Sequence, residues 1–93
     1  MYKIDKVKKI IIEKPLKLDC GRTIQNFPLA YETYGTLNEK KDNAILVFHA
    51  LTGDQFASGI NPVTNKEGWW SYALGPGKSI DTNKFFVICA NVI

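Results

Sequence analysis

Residues 44–54, Ala44-Ile45-Leu46-Val47-Phe48-His49-Ala50-Leu51-Thr52-Gly53-Asp54 (AILVFHALTGD), decide how the chain is read. Five apolar residues run without interruption to His49, the only histidine, and small and polar residues follow. A short continuous apolar run bounded by turn formers suits a strand buried on both faces. Ligand and catalytic groups in open α/β sheets lie just past the carboxyl ends of such strands. His49-Ala50-Leu51-Thr52-Gly53 falls at that place.

Working outward, Phe27–Gly35 (FPLAYETYG) precedes this run and predicts a second strand. Phe27, Leu29, Tyr31 and Thr33 would share one face, and Pro28, Ala30, Glu32 and Tyr34 the other. Further back, residues 7–14 carry β-branched Val7, Ile10, Ile11 and Ile12 and predict a strand ended by Pro15. Asp19-Cys20-Gly21-Arg22 reads as a turn. Downstream, residues 54–66 are rich in turn formers and predict a loop, of a length that is usually functional or disordered. Residues 68–74 predict a short helix stopped by Gly75-Pro76-Gly77. Residues 85–90 (FFVICA) are a second wholly apolar run with strand character.

Two such runs imply a parallel pair, joined by a right-handed crossover and covered by helices on both faces. At most one short helix is predicted, so the covering layers are missing. The expectation is one α/β domain, residues 1–93, that is the N-terminal fragment of a longer one. An antiparallel strand pair leads into a parallel βαβ unit, with strands near 7–14, 27–35, 44–48 and 85–90.

The 93 residues are 45% hydrophobic and 23% charged, close to the globular average, which argues against disorder. The net charge is +3, with Lys3, Lys6, Lys8, Lys9, Lys14 and Lys17 crowded into the first seventeen residues. They could form a patch for phosphate, nucleic acid or an acidic partner, or guard an exposed strand edge. No arginine or aromatic residue interleaves them, which favours the edge. Cys20 and Cys89 have no metal-ligand spacing. The opening MYKIDKVKK is too polar for a signal peptide, and no stretch nears the roughly 20 apolar residues of a membrane helix. A cytoplasmic protein with no nucleic-acid or membrane partner is expected.

For chemistry, His49 could be a general base or could orient its loop by hydrogen bonds. No metal ligands surround it. A strand ending in His-Ala before exposed backbone N–H groups also suits half of an oxyanion hole, where small residues let the backbone approach the developing charge. In α/β-hydrolases one donor follows the third strand and the other follows the nucleophile. Leu51 is placed to give the first. The nucleophile elbow Gly-x-Ser-x-Gly is absent, since Ser58, Ser71 and Ser79 lie in other contexts. Gly75-Pro76-Gly77-Lys78-Ser79 fails the phosphate-loop spacing because position 72 is Tyr72.

Leu29–Asn38, Asn43–Asp54, Gly68-Trp69-Trp70, Gly75–Lys78, Ile80-Asp81-Thr82 and Phe85–Asn91, in this order, resemble the homoserine O-acetyltransferase family. The resemblance covers nearly everything from Leu18 onward. It implies an α/β-hydrolase fold used for acyl transfer in methionine biosynthesis. A serine would take an acyl group from acetyl-CoA, a co-substrate, and pass it to the hydroxyl of L-homoserine. No other cofactor and no metal are implied, and the full-length protein would be a homodimer. Leu51 N–H would serve the oxyanion hole, with His49 and Thr52 supporting the loop. Asp54, Gln55 and Phe56 would border the acyl or acceptor pocket. The triad would lie beyond residue 93, so the fragment alone would be inactive. Relatives using succinyl-CoA or serine share these motifs. Another α/β-hydrolase esterase, or a small binding module built on the lysines and Trp69–Trp70, are the competing readings.

Overall fold

The computed structural model describes residues 7–93. Lys3 and Lys6 lie outside the described residues. In chain order the strands are β1 (Lys8–Ile12), β2 (Leu16–Lys17), β3 (Thr23–Ile24), β4 (Phe27–Tyr34), β5 (Ala44–Phe48), β6 (Leu74–Gly75), β7 (Ile80–Asp81) and β8 (Phe86–Ala90). The main sheet has the order β1-β4-β8-β5. β1 lies antiparallel to β4, with Lys8 opposite Tyr31 and Ile12 opposite Phe27. β8 lies antiparallel to β4 and parallel to β5, with Ile45 opposite Val87 and Val47 opposite Cys89. The antiparallel pair and the parallel pair are therefore as the apolar pattern predicts.

Pro28 is tolerated within β4 because β8 reaches only Tyr31–Tyr34, so no β8 carbonyl awaits the missing N–H. β2 and β3 form a small hairpin around the turn at Asp19–Arg22, closed by Leu18 N–H to Arg22 O at 2.7 Å. Lysines do flank the edge strand β1. Lys8 Nζ meets Glu32 Oε1 at 2.6 Å, and Lys9 is exposed. This is the placement that guards an open edge.

Two expectations are corrected. β1 stops at Ile12 and β8 starts at Phe86, each shorter than the apolar composition suggests. Residues 68–74 form no helix. Their amides are taken from across the chain: Gly68 N–H donates to Gly59 O and Trp70 N–H to Ala57 O, both at 2.7 Å. Only turn bonds remain, such as Ser71 N–H to Gly68 O and Ala73 N–H to Trp70 O. A two-turn helix has too little cooperative stability to compete with such pairing. The crossover from β5 to β8 is thus built of turns and the two-residue parallel ladder β6–β7 among the described residues.

The stretch 54–66 is ordered by its own bonds. Ile60 bridges Glu67 antiparallel, Asn61 N–H donates to Lys66 O at 2.8 Å, and Asn61 Oδ1 accepts from Val63 N–H at 2.8 Å. This loop lies across one face of the sheet. Val47, Ala57, Leu74, Val87 and Cys89 form the buried core there, flanked by Tyr34, Ile45, Trp70 and Ile80. The strand alternation sends the other side chains to the opposite face. Ile10, Leu29, Tyr31, Thr33, Leu46, Phe86, Ile88 and Ala90 line a shallow apolar concavity of about 460 Å³ there. Leu46 is 58% and Phe48 84% exposed, so β5 is covered on one face only by the described residues.

Candidate active site

β5 delivers the chain to a tight turn at its carboxyl end. Gly53 N–H donates to Ala50 O at 2.8 Å and closes residues 50–53. His49 Nδ1 lies 2.6 Å from the same oxygen. A carbonyl oxygen only accepts, so Nδ1 carries the hydrogen. The Ala50 carbonyl is thereby held inward by two donors. No peptide bond among the described residues is cis. In a trans amide the N–H points opposite to the C=O, so Leu51 N–H is turned outward, away from the turn. Among the described residues it has no acceptor. The Leu51 side chain is 99% exposed.

Gly53 makes this turn possible. A Cβ there would stand 2.9 Å from His49 Cβ and 3.3 Å from Ala50 O. Any larger residue would push the imidazole from the carbonyl it anchors.

The expected site residues separate into two clefts and a buried link. His49 lines a concavity of about 380 Å³ with Phe48, Ala90, Asn91, Val92 and Ile93 at the carboxyl ends of β5 and β8. Thr52, Asp54 and Phe56 line a second of about 200 Å³, with Gly53, Asn61, Thr64, Lys66, Glu67 and Trp69. Asp54 shapes its floor, since Oδ1 accepts from Phe56 N–H at 2.9 Å and its main-chain oxygen accepts from Trp69 Nε1 at 2.9 Å. Gln55 lines neither cleft. Its side chain is buried at 3% exposure, and Oε1 accepts from Asn91 Nδ2 at 2.9 Å.

Sequence reasoning missed Tyr34. Its hydroxyl donates to Gln55 O and accepts from Ala57 N–H, each at 2.9 Å. This pins the start of the covering loop to β4. Burial pushes the phenol up to about 12, against the opposing pull of the Ser58 and Ala57 N–H groups. The alternation of β4 put Tyr34 on the correct face, but a two-way hydroxyl contact twenty-one residues away has no local signal. Asn91 was likewise unmarked. Burial also raises the Cys89 thiol, which sits in the core. No group of three or more His, Cys, Asp or Glu that could hold a metal ion occurs among the described residues. No helix among them is long and apolar enough to cross a membrane.

No protein-family profile matches the chain. Individual proteins do. A homoserine O-acetyltransferase of Pelagibacter ubique (strain HTCC1062) is 79% identical over 87 residues, 94% of this chain and 23% of that protein. One of Mesorhizobium japonicum is 63% identical over 81 residues, 87% of this chain and 21% of that protein. Among solved structures, homoserine O-acetyltransferase from Bacillus anthracis superposes with a TM-score of 0.78 at 41% identity, covering 92% of this chain and 23% of that one. Esterase E22 gives a TM-score of 0.78 at 37% identity, covering 94% and 24%.

The mixed sheet, the parallel β5–β8 pair and the turn at its carboxyl end are the N-terminal part of an α/β-hydrolase fold. Over the residues it contains, the chain is similar to homoserine O-acetyltransferases. It spans less than a quarter of the length of the curated relatives it matches.

Proposed function

We propose that this chain is part of a homoserine O-acetyltransferase acting in methionine biosynthesis. The observation that carries the reading is the 79% identity to a relative of that name over nearly the whole chain. The outward Leu51 N–H supports the chemistry. In the full-length enzyme a serine oxygen attacks the thioester carbonyl of acetyl-CoA. The carbonyl oxygen takes the negative charge and accepts from Leu51 N–H. The C–S bond then breaks, and the CoA thiol leaves with a proton. The hydroxyl of L-homoserine attacks the acetyl-serine in turn, releases the serine and carries the acetyl group away. One aligned donor of this kind is worth about 3–4 kcal/mol in the transition state.

His49 holds the Ala50 carbonyl and so supports the turn rather than moving protons, and Thr52 extends the turn into the Asp54–Phe56 cleft. Asp54 and Phe56 border the acceptor side in this reading. Acetyl-CoA is a co-substrate, no further cofactor is required, and the enzyme works in the cytoplasm as a homodimer without nucleic acid or membrane.

Likeness to esterase E22 and to the acetyl esterase MekB, at 37% and 31% identity, favours one alternative, hydrolysis of an acetyl ester at the same oxyanion turn. Incubating the full-length protein with acetyl-CoA and L-homoserine separates the two. Release of CoA thiol that depends on homoserine, with O-acetylhomoserine as product, is the expected result. Succinyl-CoA and L-serine in parallel assays distinguish the related donor and acceptor. Hydrolysis of acetyl esters without CoA-dependent transfer would overturn the acetyltransferase reading.

A further inference from the structure

We propose that Gln55 and Asn91 are a positioning pair that sets the Leu51 turn for the reaction; this rests on the acyl-transfer reading above. Gln55 is a polar side chain kept 3% exposed, and its amide oxygen is spent on one partner, Asn91 Nδ2 at 2.9 Å. Each partner is anchored separately. Gln55 O accepts from the Tyr34 hydroxyl at 2.9 Å, which ties its backbone to β4. Asn91 N–H donates to Ala30 O at 2.8 Å, and Asn91 Oδ1 accepts from Val92 N–H at 2.7 Å. The hydrogen bond between the two side-chain amides therefore joins two fixed points. One is the segment leaving the oxyanion turn, and the other is the segment leaving β8.

Groups acting together at an open α/β sheet are carried past the carboxyl ends of neighbouring parallel strands. β5 and β8 are such neighbours, in register from Ala44–Phe86 to Phe48–Ala90. Strand pairing ends at Phe48 and Ala90, so beyond them no ladder holds the two exits together. The Gln55–Asn91 bond supplies that link one residue past β8, beside the concavity that Asn91 shares with His49. A displaced oxyanion donor weakens binding of the transition state more than of the ground state, so its signature is in kcat rather than KM.

The test uses the full-length protein with acetyl-CoA and L-homoserine. Gln55→Leu and Asn91→Leu are each expected to lower kcat at least tenfold with KM for homoserine within twofold. The double variant is expected to be no worse than either single one, because both break the same bond. The exchanged pair, Gln55→Asn with Asn91→Gln, keeps both amides and is expected to restore kcat to within threefold of wild type. Folded single variants with unchanged kcat overturn the proposal. So does an equal loss in both KM and kcat with no gain from the exchanged pair. If the leucine variants fail to fold, the exchanged pair decides: near-wild-type kcat supports the link, and a tenfold loss in a folded protein overturns it. A wild-type protein inactive with these substrates overturns the acetyltransferase reading instead. The same variants are then scored by hydrolysis of p-nitrophenyl acetate, which uses the same oxyanion turn.

Discussion

At the scale of single residues, the proposed reaction uses Leu51 through its backbone. Both hydrogen bonds that hold the Ala50 carbonyl inward also turn the next N–H outward. Leu51→Pro in the full-length protein deletes that donor and is expected to lower kcat about 10²- to 10³-fold. Leu51→Ala keeps the N–H and should fall far less, as steady-state kinetics on the two variants would register. Gly68 is a second residue whose identity is set by contact. A Cβ there would stand 2.4 Å from both the Ala57 carbonyl carbon and the Ser58 nitrogen, all backbone that cannot swing aside. Gly68→Ala is expected to cost about 1–3 kcal/mol by overpacking, measured as a lower midpoint in denaturant.

At the scale of elements, the covering loop is held to β4 by the Tyr34 hydroxyl. Tyr34→Phe would remove both hydroxyl bonds and leave the Gln55 carbonyl and the Ala57 N–H only their mutual contact at 3.0 Å, at a cost of about 0.5–1.5 kcal/mol for each bond lost. Thermal unfolding of the full-length variant beside wild type measures it. The same phenol predicts a pH effect. Its folded pKa is raised to about 12, above the roughly 10 of an unfolded tyrosine. Between those values the unfolded chain has released a proton that the folded chain retains, so the contribution is whole below pH 10 and is lost as pH rises toward 12. Denaturant midpoints of Tyr34→Phe should therefore decline less steeply over that window than those of wild type. The loop itself shows why element type was misread at 68–74. Glu67–Leu74 has helix-compatible composition, yet the amides of Gly68 and Trp70 bond to Gly59 and Ala57 across the loop. Non-local pairing overrode a weak local preference.

At the scale of the whole molecule, the sheet has one covered and one open face. Phe86, Ile88, Leu46 and Leu29 lie together on the open one. A patch of that kind on a free surface promotes association. Residues 1–93 prepared alone are expected to bind a hydrophobic dye, to self-associate at micromolar concentration and to show no acyl transfer from acetyl-CoA. Light scattering and a thiol-release assay check these outcomes. A monomeric chain with a cooperative melting transition and no dye binding would instead favour a self-standing binding module.

The amino-acid sequence by itself marked the four strands of the main sheet, though not their exact ends, and the two faces of β4. Uninterrupted apolar runs mark β5 and β8 as strands and the alternation at 27–34 assigns the faces of β4, because side-chain period is a local property of a strand; which face is covered is not, and Leu46 and Phe48 stay exposed. It also marked the turn after β5, since His-Ala-Leu-Thr-Gly follows an apolar strand and residues 50–53 close there. Tertiary structure alone decided that 68–74 is not helical, that Tyr34 clamps the loop, and that Gln55 turns inward to Asn91 instead of lining a cleft. Each of those depends on a partner far along the chain, at Gly59, Ala57 or Asn91. Hydrogen bonds across such separations carry no periodicity that a run of residues could reveal.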